Sequence, residues 1–439
     1  MSKITRRDAI KTGAIAAATL AAPAIVPRES LGQELTLEPE KGARLRVLRW
    51  KRFVQGDEDV WMANTEKFSK MTGIQIRTDH EGFEDIRPKA AVAANVGSGP
   101  DIIIGWFDDP HQYPDKLVDL SDVANYLGGK YGGWYPVAER YGKRGNRWIG
   151  LPLGAAGATL VHRKSWMNEA GFATFPKDTD AFLKMCQALK AKGHPPGFAL
   201  GNAVGDGNAW VHWMVWAFGG RMVDEKNNVV INSKETIRAL EYGRELYQTF
   251  IPGTLAWLDP SNNKAFLDGQ ISVTNNGISV YYAAINSPDP ALKAMAADIE
   301  HASFPIGPVG HPTELHLFTQ AMLFRYSKYP KAAKMFLKFM WEKEQYAPWQ
   351  KAAIGYVTHP LKAYEQNDVW GSDPKNLPYR DAVKNMLWHS YAGPLGYASA
   401  GVMADYVMVN MVAAAVSGQK SPAEAAAEAE RRALRYYKV

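Results

Sequence analysis

The chain has 439 residues, of which 46% are hydrophobic and 22% are charged. This balance is typical of globular proteins and excludes an intrinsically disordered chain. The formal net charge of +6 falls to +3 without residues 1–30, which carry five basic and two acidic side chains. So small and scattered a charge forms no basic stripe, and we exclude nucleic acid as a partner.

Residues 1–33 have the pattern of an export signal. The arginine pair Arg6-Arg7 lies in a polar start, and the apolar run 13–22 and the small residues Ala22-Pro23-Ala24 follow it. The run is shorter than the roughly 20 apolar residues that span a bilayer. We expect a twin-arginine signal peptide, read by the twin-arginine export machinery, and a soluble periplasmic protein. A basic N-terminus followed by an Ala-rich helix is the alternative.

Cys186 is the only cysteine, so neither an internal disulfide nor a cysteine-based metal site can form. It occupies an apolar position of a predicted helix, which is typical of a buried, inert thiol. No cysteine near the signal could carry a lipid anchor. After the signal we find no uninterrupted apolar segment that approaches membrane-spanning length, which again predicts a soluble protein.

The first elements alternate between strand and helix. Strands are predicted at 44–50, 74–79 and 101–105, and helices at 57–72 and from 88 to the Gly/Pro cluster at 97–100. We expect Asp57 to cap the first helix and Gly73 to end it. Pro88 suits the first turn of the second. This β-α-β-α-β order predicts a parallel sheet with helices on both faces.

A second α/β unit follows the loop-rich stretch 107–150. Strands are predicted at 158–162, 198–201, 271–274 and 317–324, a hairpin at 219–232, and helices at 164–170, 178–192, 207–218, 234–250, 262–268, 328–341 and 343–353. The last ~80 residues are predicted to be helical. Because no repeat or low-complexity linker separates the units, we expect interleaved lobes rather than independent domains.

An ordered set of short motifs covers residues 44–437. The motifs are Gly99-Pro100-Asp101, Gly150-Leu151-Pro152, the stretch 160–171, Ala265-Phe266-Leu267-Asp268-Gly269, Ile354-Gly355-Tyr356 and the tail 418–426. In this order the chain resembles the family 1 extracellular solute-binding proteins, the maltose-type sugar binders of ABC importers. One departure is His162-Arg163, where the family usually has tyrosine and asparagine.

The resemblance implies an α/β, two-lobed periplasmic binding protein fold of class II type, each lobe a mostly parallel sheet flanked by helices. The implied N-lobe comprises 43–153 and 314–358, and the C-lobe 154–313 and 359–439. The three implied hinge crossings lie near 152–157, 311–317 and 357–361. Closure of the lobes around a carbohydrate would present a surface to the membrane permease. The expected protein is a monomeric binder with no cofactor and no metal.

Candidate ligand contacts follow from the ends of the strands, where an open parallel sheet forms its crevice. Trp50 and Trp106 each end a strand, and Asp108 follows the second. A sugar packs its C–H face on an aromatic ring and donates its hydroxyls to carboxylates. The full set of candidates is Trp50, Glu81, Trp106, Asp108, Trp210, Asn276, His316 and Tyr356. Core packing is the alternative for the tryptophans and for His316.

Two alternatives to a sugar-binding protein remain: a protein that binds another class of ligand, and an enzyme. Lys51 and Arg52 after the first strand raise the possibility of an acidic or phosphorylated ligand, such as a glycerol phosphate, and a polyol is a further alternative. Paired acids such as Asp108-Asp109 raise the alternative of a glycosidase, which needs two opposed carboxyls roughly 5–9.5 Å apart. Adjacent acids in a loop point in different directions, so they are poor evidence for such a pair. The sequence contains no G-x-S-x-G, HExxH, Walker A or dinucleotide-binding motif. A binding protein is therefore favoured over an enzyme.

Overall fold

Two main sheets organise residues 34–437, the part of the chain that the computed structural model describes. The predicted signal at 1–33 lies outside the described residues. The strands are β1 (Arg44–Trp50), β2 (Gln75–Glu81), β3 (Ile102–Trp106), β4 (Lys143–Arg144), β5 (Arg147–Trp148), β6 (Leu151–Ala156), β7 (Thr159–Arg163), β8 (Val273–Asn276), β9 (Ile299–Ala302), β10 (Leu317–Leu323) and β11 (Val357–Thr358).

Helices cover both sheets and form most of the C-terminal region. They are α1 (Gln55–Thr72), α2 (Phe83–Val96), α3 (Ser121–Lys130), α4 (Pro136–Gly142), α5 (Lys164–Glu169), α6 (Thr179–Ala191), α7 (Asp206–Ala217), α8 (Lys234–Tyr247), α9 (Asp259–Leu267), α10 (Ser279–Ile285), α11 (Pro290–Asp298), α12 (Pro330–Trp341), α13 (Lys343–Ala352), α14 (Val369–Ser372), α15 (Leu377–Arg380), α16 (Ala382–Asn385), α17 (Tyr397–Ala404), α18 (Val407–Val416) and α19 (Pro422–Tyr437).

The six-stranded sheet of the N-lobe has the order β11-β6-β10-β3-β1-β2. β1 pairs in parallel with β2 and β3, as the alternating strands and helices predict. β10 runs antiparallel to β3 and β6, and β11 runs antiparallel to β6. The expectation of a mostly parallel sheet is therefore correct for β1 to β3 alone. The other three strands adjoin the passages between the lobes, and the antiparallel pairs there arise because β10 and β11 run opposite to β6 and β3.

The three-stranded sheet of the C-lobe, with the order β8-β7-β9, is antiparallel throughout, so the expectation of a mostly parallel sheet is wrong here. The strand expected at 271–274 lies two residues later, at Val273–Asn276. The segment 198–201 is no strand, although Phe198 is buried. Its amides bond to a loop instead, with Leu200 N donating to Thr254 O at 3.0 Å.

The chain passes between the two sheets close to the predicted crossings. It leaves β6 at Ala156 and enters β7 at Thr159, and it returns between the end of β9 at Ala302 and the start of β10 at Leu317. After β11 it continues to the C-terminal helices, of which α18 and α19 pack on α8. The two-lobed architecture is confirmed, while the residue boundaries of the lobes stay a prediction.

The prediction that Asp57 caps α1 is wrong. The helix begins at Gln55, and the Asp57 carboxylate bonds to Arg49 Nη2 with both oxygens, at 2.6 and 2.7 Å. It also accepts hydrogen bonds from the indoles of Trp50 at 3.1 Å and Trp349 at 2.8 Å. A buried arginine requires such a partner. The ion pair therefore outcompetes the helix terminus for the carboxylate.

Within residues 34–437, one segment is long and apolar enough to cross a membrane, contrary to expectation. Residues Tyr397–Val416 pass that test, but most of them are buried inside the protein. Tyr406 has φ 51° and separates α17 from α18. The two short helices pack on α7, α8 and α19. They therefore belong to the core of the C-lobe, where the buried Cys186 also lies.

Candidate functional site

A small cavity lies where the two lobes meet, with a volume of about 30 Å³. It is lined by Phe53, Phe83, Ala156, Ala158, Gly205, Asp206, Asp259, Asn263, Asn276, Gly277, Ser279, Leu317 and Tyr356. Two of the predicted contacts, Asn276 and Tyr356, are among these residues. A volume of this size holds only one or two water molecules, roughly. The two lobes are therefore closed on each other in this structure.

Two carboxylates form the C-lobe floor of the cavity, each in the first turn of a helix, where acids are favoured. Asp259 of α9 accepts hydrogen bonds from the backbone amides of Val204 at 2.7 Å, Gly205 at 3.0 Å and Asp206 at 2.8 Å. Asp206 of α7 accepts one from Asn262 Nδ2 at 2.9 Å. Asp259 thus orders the start of α7 and places the Asp206 carboxylate in the cavity.

Burial and a neighbouring acid raise the pKa of each of the two carboxyl groups. Burial is the larger cause for Asp206, and the charge of Asp259 adds to it, so the pKa of Asp206 lies well above its usual range. Burial also raises the pKa of Asp259, to about 6, although its backbone hydrogen bonds oppose the shift. The charge of Glu84, on the N-lobe helix α2, raises the pKa of Asp259 further. The floor of the cavity is therefore acidic and short of positive charge.

Amide side chains continue the floor as a closed ring of hydrogen bonds. Asn263 Nδ2 donates to Ser279 Oγ at 2.9 Å, Ser279 Oγ donates to Asn276 Oδ1 at 3.0 Å, and Asn276 Nδ2 donates back to Asn263 Oδ1. Asn276 is the last residue of β8, and Ser279 begins α10. The ring holds the amides at the cavity wall in fixed orientations.

Aromatic rings form the opposite wall. Phe53 and Phe83 come from the N-lobe, with ring centroids 4.8 Å apart, and Tyr356 comes from the passage before β11. Trp106 packs behind Phe83 at 4.7 Å and donates to its carbonyl oxygen at 3.1 Å. Trp50 packs against Trp106 at 5.7 Å. The two predicted tryptophans therefore support the wall of the cavity without lining it.

The two remaining predicted acids lie away from the cavity. Glu81 pairs with Lys89 at 2.5 Å in a separate groove of the N-lobe. Asp108 is buried, accepts a hydrogen bond from Ser399 at 2.6 Å and lies 3.1 Å from His389 Nε2. Burial is the largest single influence on the pKa of Asp108 and raises it, but the charges of His389 and His111 and the hydrogen bonds with His389 and Ser399 together lower that pKa overall.

Trp210 and His316 also lie outside the cavity. Trp210 is 0% exposed in the C-lobe core, where it packs on Phe198 and donates to Ala199 O at 2.7 Å. His316 Nδ1 accepts a hydrogen bond from Ala158 N at 2.9 Å. That bond joins two passages between the lobes. These placements make Trp210 a core residue and His316 a hinge residue in this closed structure, while the ligand contacts of Asn276 and Tyr356 stay predictions.

Asp108, His389 and Ser399 have the residue types of a hydrolase triad but a different arrangement. The Ser399 hydroxyl donates to Asp108 and not to the histidine, whereas a nucleophilic serine needs a base as its acceptor. All three are buried. The cluster therefore ties the loop after β3 to the C-terminal region. Within residues 34–437, no group of three or more His, Cys, Asp or Glu side chains could hold a metal ion.

Sequence reasoning missed the residues that line most of the cavity, among them Asp206, Asp259 and Phe83. A usable signal was present for all three. Each begins a helix shortly after a strand or an extended segment, and the starts of such helices point toward the ligand crevice. On α7 the sequence-based prediction names Trp210, whereas the residue that lines the cavity is Asp206, at the first position of the helix.

A two-lobed α/β fold with a polar and aromatic cavity between its lobes defines a solute-binding protein. The chain belongs to the bacterial extracellular solute-binding protein family, which matches residues 63–378. This membership confirms the predicted resemblance, and it confirms a binding protein over an enzyme. A curated relative, a probable ABC transporter-binding protein of Deinococcus radiodurans, is 21% identical over 288 residues. The match covers 63% of this chain and 66% of that relative, just under two thirds of its length.

Solved structures confirm the fold. Maltose-bound MalE3 of T. maritima has a TM-score of 0.77 at 18% identity, covering 89% of this chain and 99% of that one. A sugar transporter of Arthrobacter chlorophenolicus A6 with bound laminaribiose has a TM-score of 0.76 at 18% identity, and the match covers 90% of this chain and 99% of that one. A solute-binding protein of Agrobacterium radiobacter K84 in complex with ribitol has a TM-score of 0.75 at 17% identity, and the match covers 91% of this chain and all of that one (100%). The likeness extends over both lobes.

Proposed function

We propose that the protein captures a carbohydrate or a polyol in the interlobe cavity and delivers it to the permease of an ABC importer. The wall of the cavity carries this proposal, because two carboxylates, two amides and a serine hydroxyl face three aromatic rings. Vicinal hydroxyls need such acceptors and donors, and the apolar face of a sugar needs the rings. The sugars and the polyol bound by the similar structures support the same class of ligand.

An acidic or phosphorylated ligand has less support. Lys51 and Arg52 do not line the cavity, and Arg52 pairs with Glu58 at 2.8 Å. The unusual His162-Arg163 pair does not line it either. Arg163 is bonded to Asp298 at 2.7 Å, and His162 is buried against Phe175. Arg52 and Arg163 thus have ion-pair partners outside the cavity.

The same proposal includes the location and the other partners of the protein. The pattern of residues 1–33 supports export by the twin-arginine machinery and a soluble protein in the periplasm. The family is extracellular, and the curated relative is a probable component of an ABC transporter. We expect the mature protein to act as a monomer that presents its closed lobes to the permease.

A thermal-shift screen tests the proposal. A solute that binds the folded protein raises its melting temperature by mass action, so we expect a shift with at least one member of a panel of sugars and alditols. Glycerol phosphodiesters and uronates in the same panel represent the acidic alternative. No shift with any hydroxylated solute, or a shift with acidic members alone, contradicts the proposal.

Tyr356→Phe then tests the site with the solute found. The Tyr356 hydroxyl makes no hydrogen bond to any of the described residues, so its loss leaves the fold intact and removes only a contact in the cavity. We expect affinity to fall about fivefold or more, the usual effect of one hydrogen bond, with an unchanged melting temperature of the free protein. Tyr397→Phe, at a residue that is 69% exposed, is the matched control. Calorimetry that shows equal affinities for both variants removes Tyr356 from the site.

A further inference from the structure

The cavity has an excess of acidic groups and no cation in its wall. Asp206 and Asp259 line it, and the charge of Glu84 reaches Asp259 from the N-lobe. Glu84 Oε1 is itself buried and accepts no hydrogen bond from the described residues. None of the described residues that line the cavity is Lys, Arg or His. Closure of the lobes therefore brings carboxylates of both lobes together without a counter-charge.

The arginines behind the aromatic wall do not supply that charge, because each is held by an acid of its own. Arg49 bonds to Asp57 at 2.6 Å, and both side chains are almost fully buried. Arg87, one turn along α2 from Phe83, bonds to Asp109 at 2.7 Å. The charges of these arginines are thus neutralised within the N-lobe, and the acids of the cavity stay unbalanced.

Asp206 is the carboxylate that can accept a ligand. Asp259 is occupied by three backbone amides. Asp206 is 8% exposed and accepts one hydrogen bond, from Asn262 to Oδ2. No described group donates to Oδ1, and the residue lines the cavity. A carboxylate oxygen without a protein donor, on a largely buried residue that lines a cavity, is a site for a donor that the ligand brings.

The rings opposite the acids favour a cation as that donor. Phe53, Phe83 and Tyr356 line the cavity together with the acids. Aromatic faces attract ammonium groups electrostatically, most strongly where water is excluded. A carboxylate with an aromatic wall satisfies both the charge and the apolar substituents of an amine. A neutral hydroxyl would complete the hydrogen bond to Asp206, but only a cation would favour the ionised carboxylate over the protonated form that burial stabilises.

We propose that the solute is a hydroxylated compound that carries a protonated amine, an amino sugar or an aminated polyol, with its ammonium group bound to Asp206. This inference rests on the proposed function and narrows its substrate class. It also gives a physical reason for closure, because a cation between the lobes converts the repulsion of Glu84 and the C-lobe acids into attraction.

Matched sets of solutes test the inference at neutral pH and constant ionic strength. Each set contains a hydroxyl compound, its amine and its acid: glucose, glucosamine and glucuronate; galactose, galactosamine and galacturonate; and sorbitol, its 1-amino derivative and gluconate. We expect at least one amine to raise the melting temperature. By calorimetry it should bind at least about tenfold more tightly than its neutral partner, as a charge-assisted contact requires.

Asp206→Asn is the decisive variant, because asparagine keeps the size of the side chain and can still accept from Asn262. We expect it to abolish the preference for the amine. Asp268→Asn, at the other end of α9, where Asp268 pairs with Lys264 on the surface, is the control and should keep the preference. Circular dichroism and the melting temperature show that both variants fold.

The outcomes separate this inference from the proposed function. If a neutral solute binds as tightly as its amine, or if Asp206→Asn keeps the preference for the amine, the inference is overturned while the carbohydrate proposal stands. If only acids bind, or if no member of the sets and no sugar or alditol of the thermal-shift panel binds, both are overturned. An amine preference that Asp206→Asn removes and Asp268→Asn retains supports both.

Discussion

Asp206 and Asp259 combine two functions in one pair of side chains. The Asp259 carboxylate fixes the start of α7, and that helix start holds Asp206 at the cavity. Here the structural carboxylate also contributes charge to the cavity, so the position of Asp206 and the electrostatics of the site depend on each other.

The pair makes stability depend on pH. In the folded protein the pKa of both acids is raised from the ordinary 3.8, that of Asp259 to about 6. The folded state therefore holds a proton more readily than the unfolded state. The stabilisation from Asp259 is fully present below pH 3.8 and is lost as the pH rises through about 6, and the stabilisation from Asp206, whose pKa is also raised, is lost in the same direction. We expect Asp206→Asn, which removes one of the two charges, to raise the melting temperature at mildly alkaline pH and to leave it nearly unchanged at acid pH.

Melting curves recorded from about pH 4 to about pH 8 provide the comparison. The wild type and Asp206→Asn should differ most at the alkaline end, while Asp268→Asn should follow the wild type throughout. Parallel curves for all three proteins would show that Asp206 is an ordinary, solvated carboxylate.

At the scale of elements, the passages between the lobes depend on a close approach of two strands. Gly154 of β6 has φ +140°, and a Cβ atom there would lie 2.1 Å from Thr358 O of β11. β6 pairs with both β10 and β11, so it joins all three passages between the lobes. Any side chain at this position would push the two strands apart.

Gly154→Ala should therefore lower the free energy of unfolding by about 1–3 kcal/mol, from backbone strain and displacement of β11. Gly129→Ala is the matched control, because a Cβ at that helical position meets nothing within 4 Å. It should be neutral or stabilise the protein by about 0.5–1 kcal/mol. Denaturant titration measures both, and equal stabilities of the two variants would show that β6 and β11 tolerate a wider separation.

Helices were predicted more accurately than strands because their signals are local. The helix expected at 178–192 is α6 (Thr179–Ala191), and the one expected at 234–250 is α8 (Lys234–Tyr247). Their apolar periodicity and their caps are read within one segment. Strand pairing depends on distant partners. The segment 198–201 has the composition of a strand but bonds to a loop more than fifty residues away.

The sequence predicted only part of the candidate site, because the rest depends on contacts between distant segments. Asn276 and Tyr356 line the cavity because each lies where the chain enters or leaves a strand. Trp210 lies on α7, of which every residue is buried. No helical period could therefore distinguish a face toward the cleft from a face toward the core. That distinction depends on how the lobes close on each other.

At the scale of the whole molecule, the closed lobes leave too little space for any solute of the proposed class. The cavity measures about 30 Å³, whereas pockets that hold small molecules measure roughly 300–1,000 Å³. The lobes must therefore separate to admit a ligand and close less tightly once it is bound. Contacts that hold the closed state include the bond from Gly56 N of α1 to the Tyr282 hydroxyl of α10, at 3.0 Å.

Small-angle scattering measures this separation. We expect the free protein to contain an open population, and a bound ligand to decrease the radius of gyration. Tyr282→Phe removes one bond that exists only between closed lobes, so it should shift the free protein toward the open state and weaken ligand affinity about fivefold. Each lobe keeps its own contacts, so the melting temperature of the free protein should stay close to that of Tyr397→Phe. A radius of gyration that is the same with and without ligand, in the wild type and in Tyr282→Phe, would exclude closure as the mechanism.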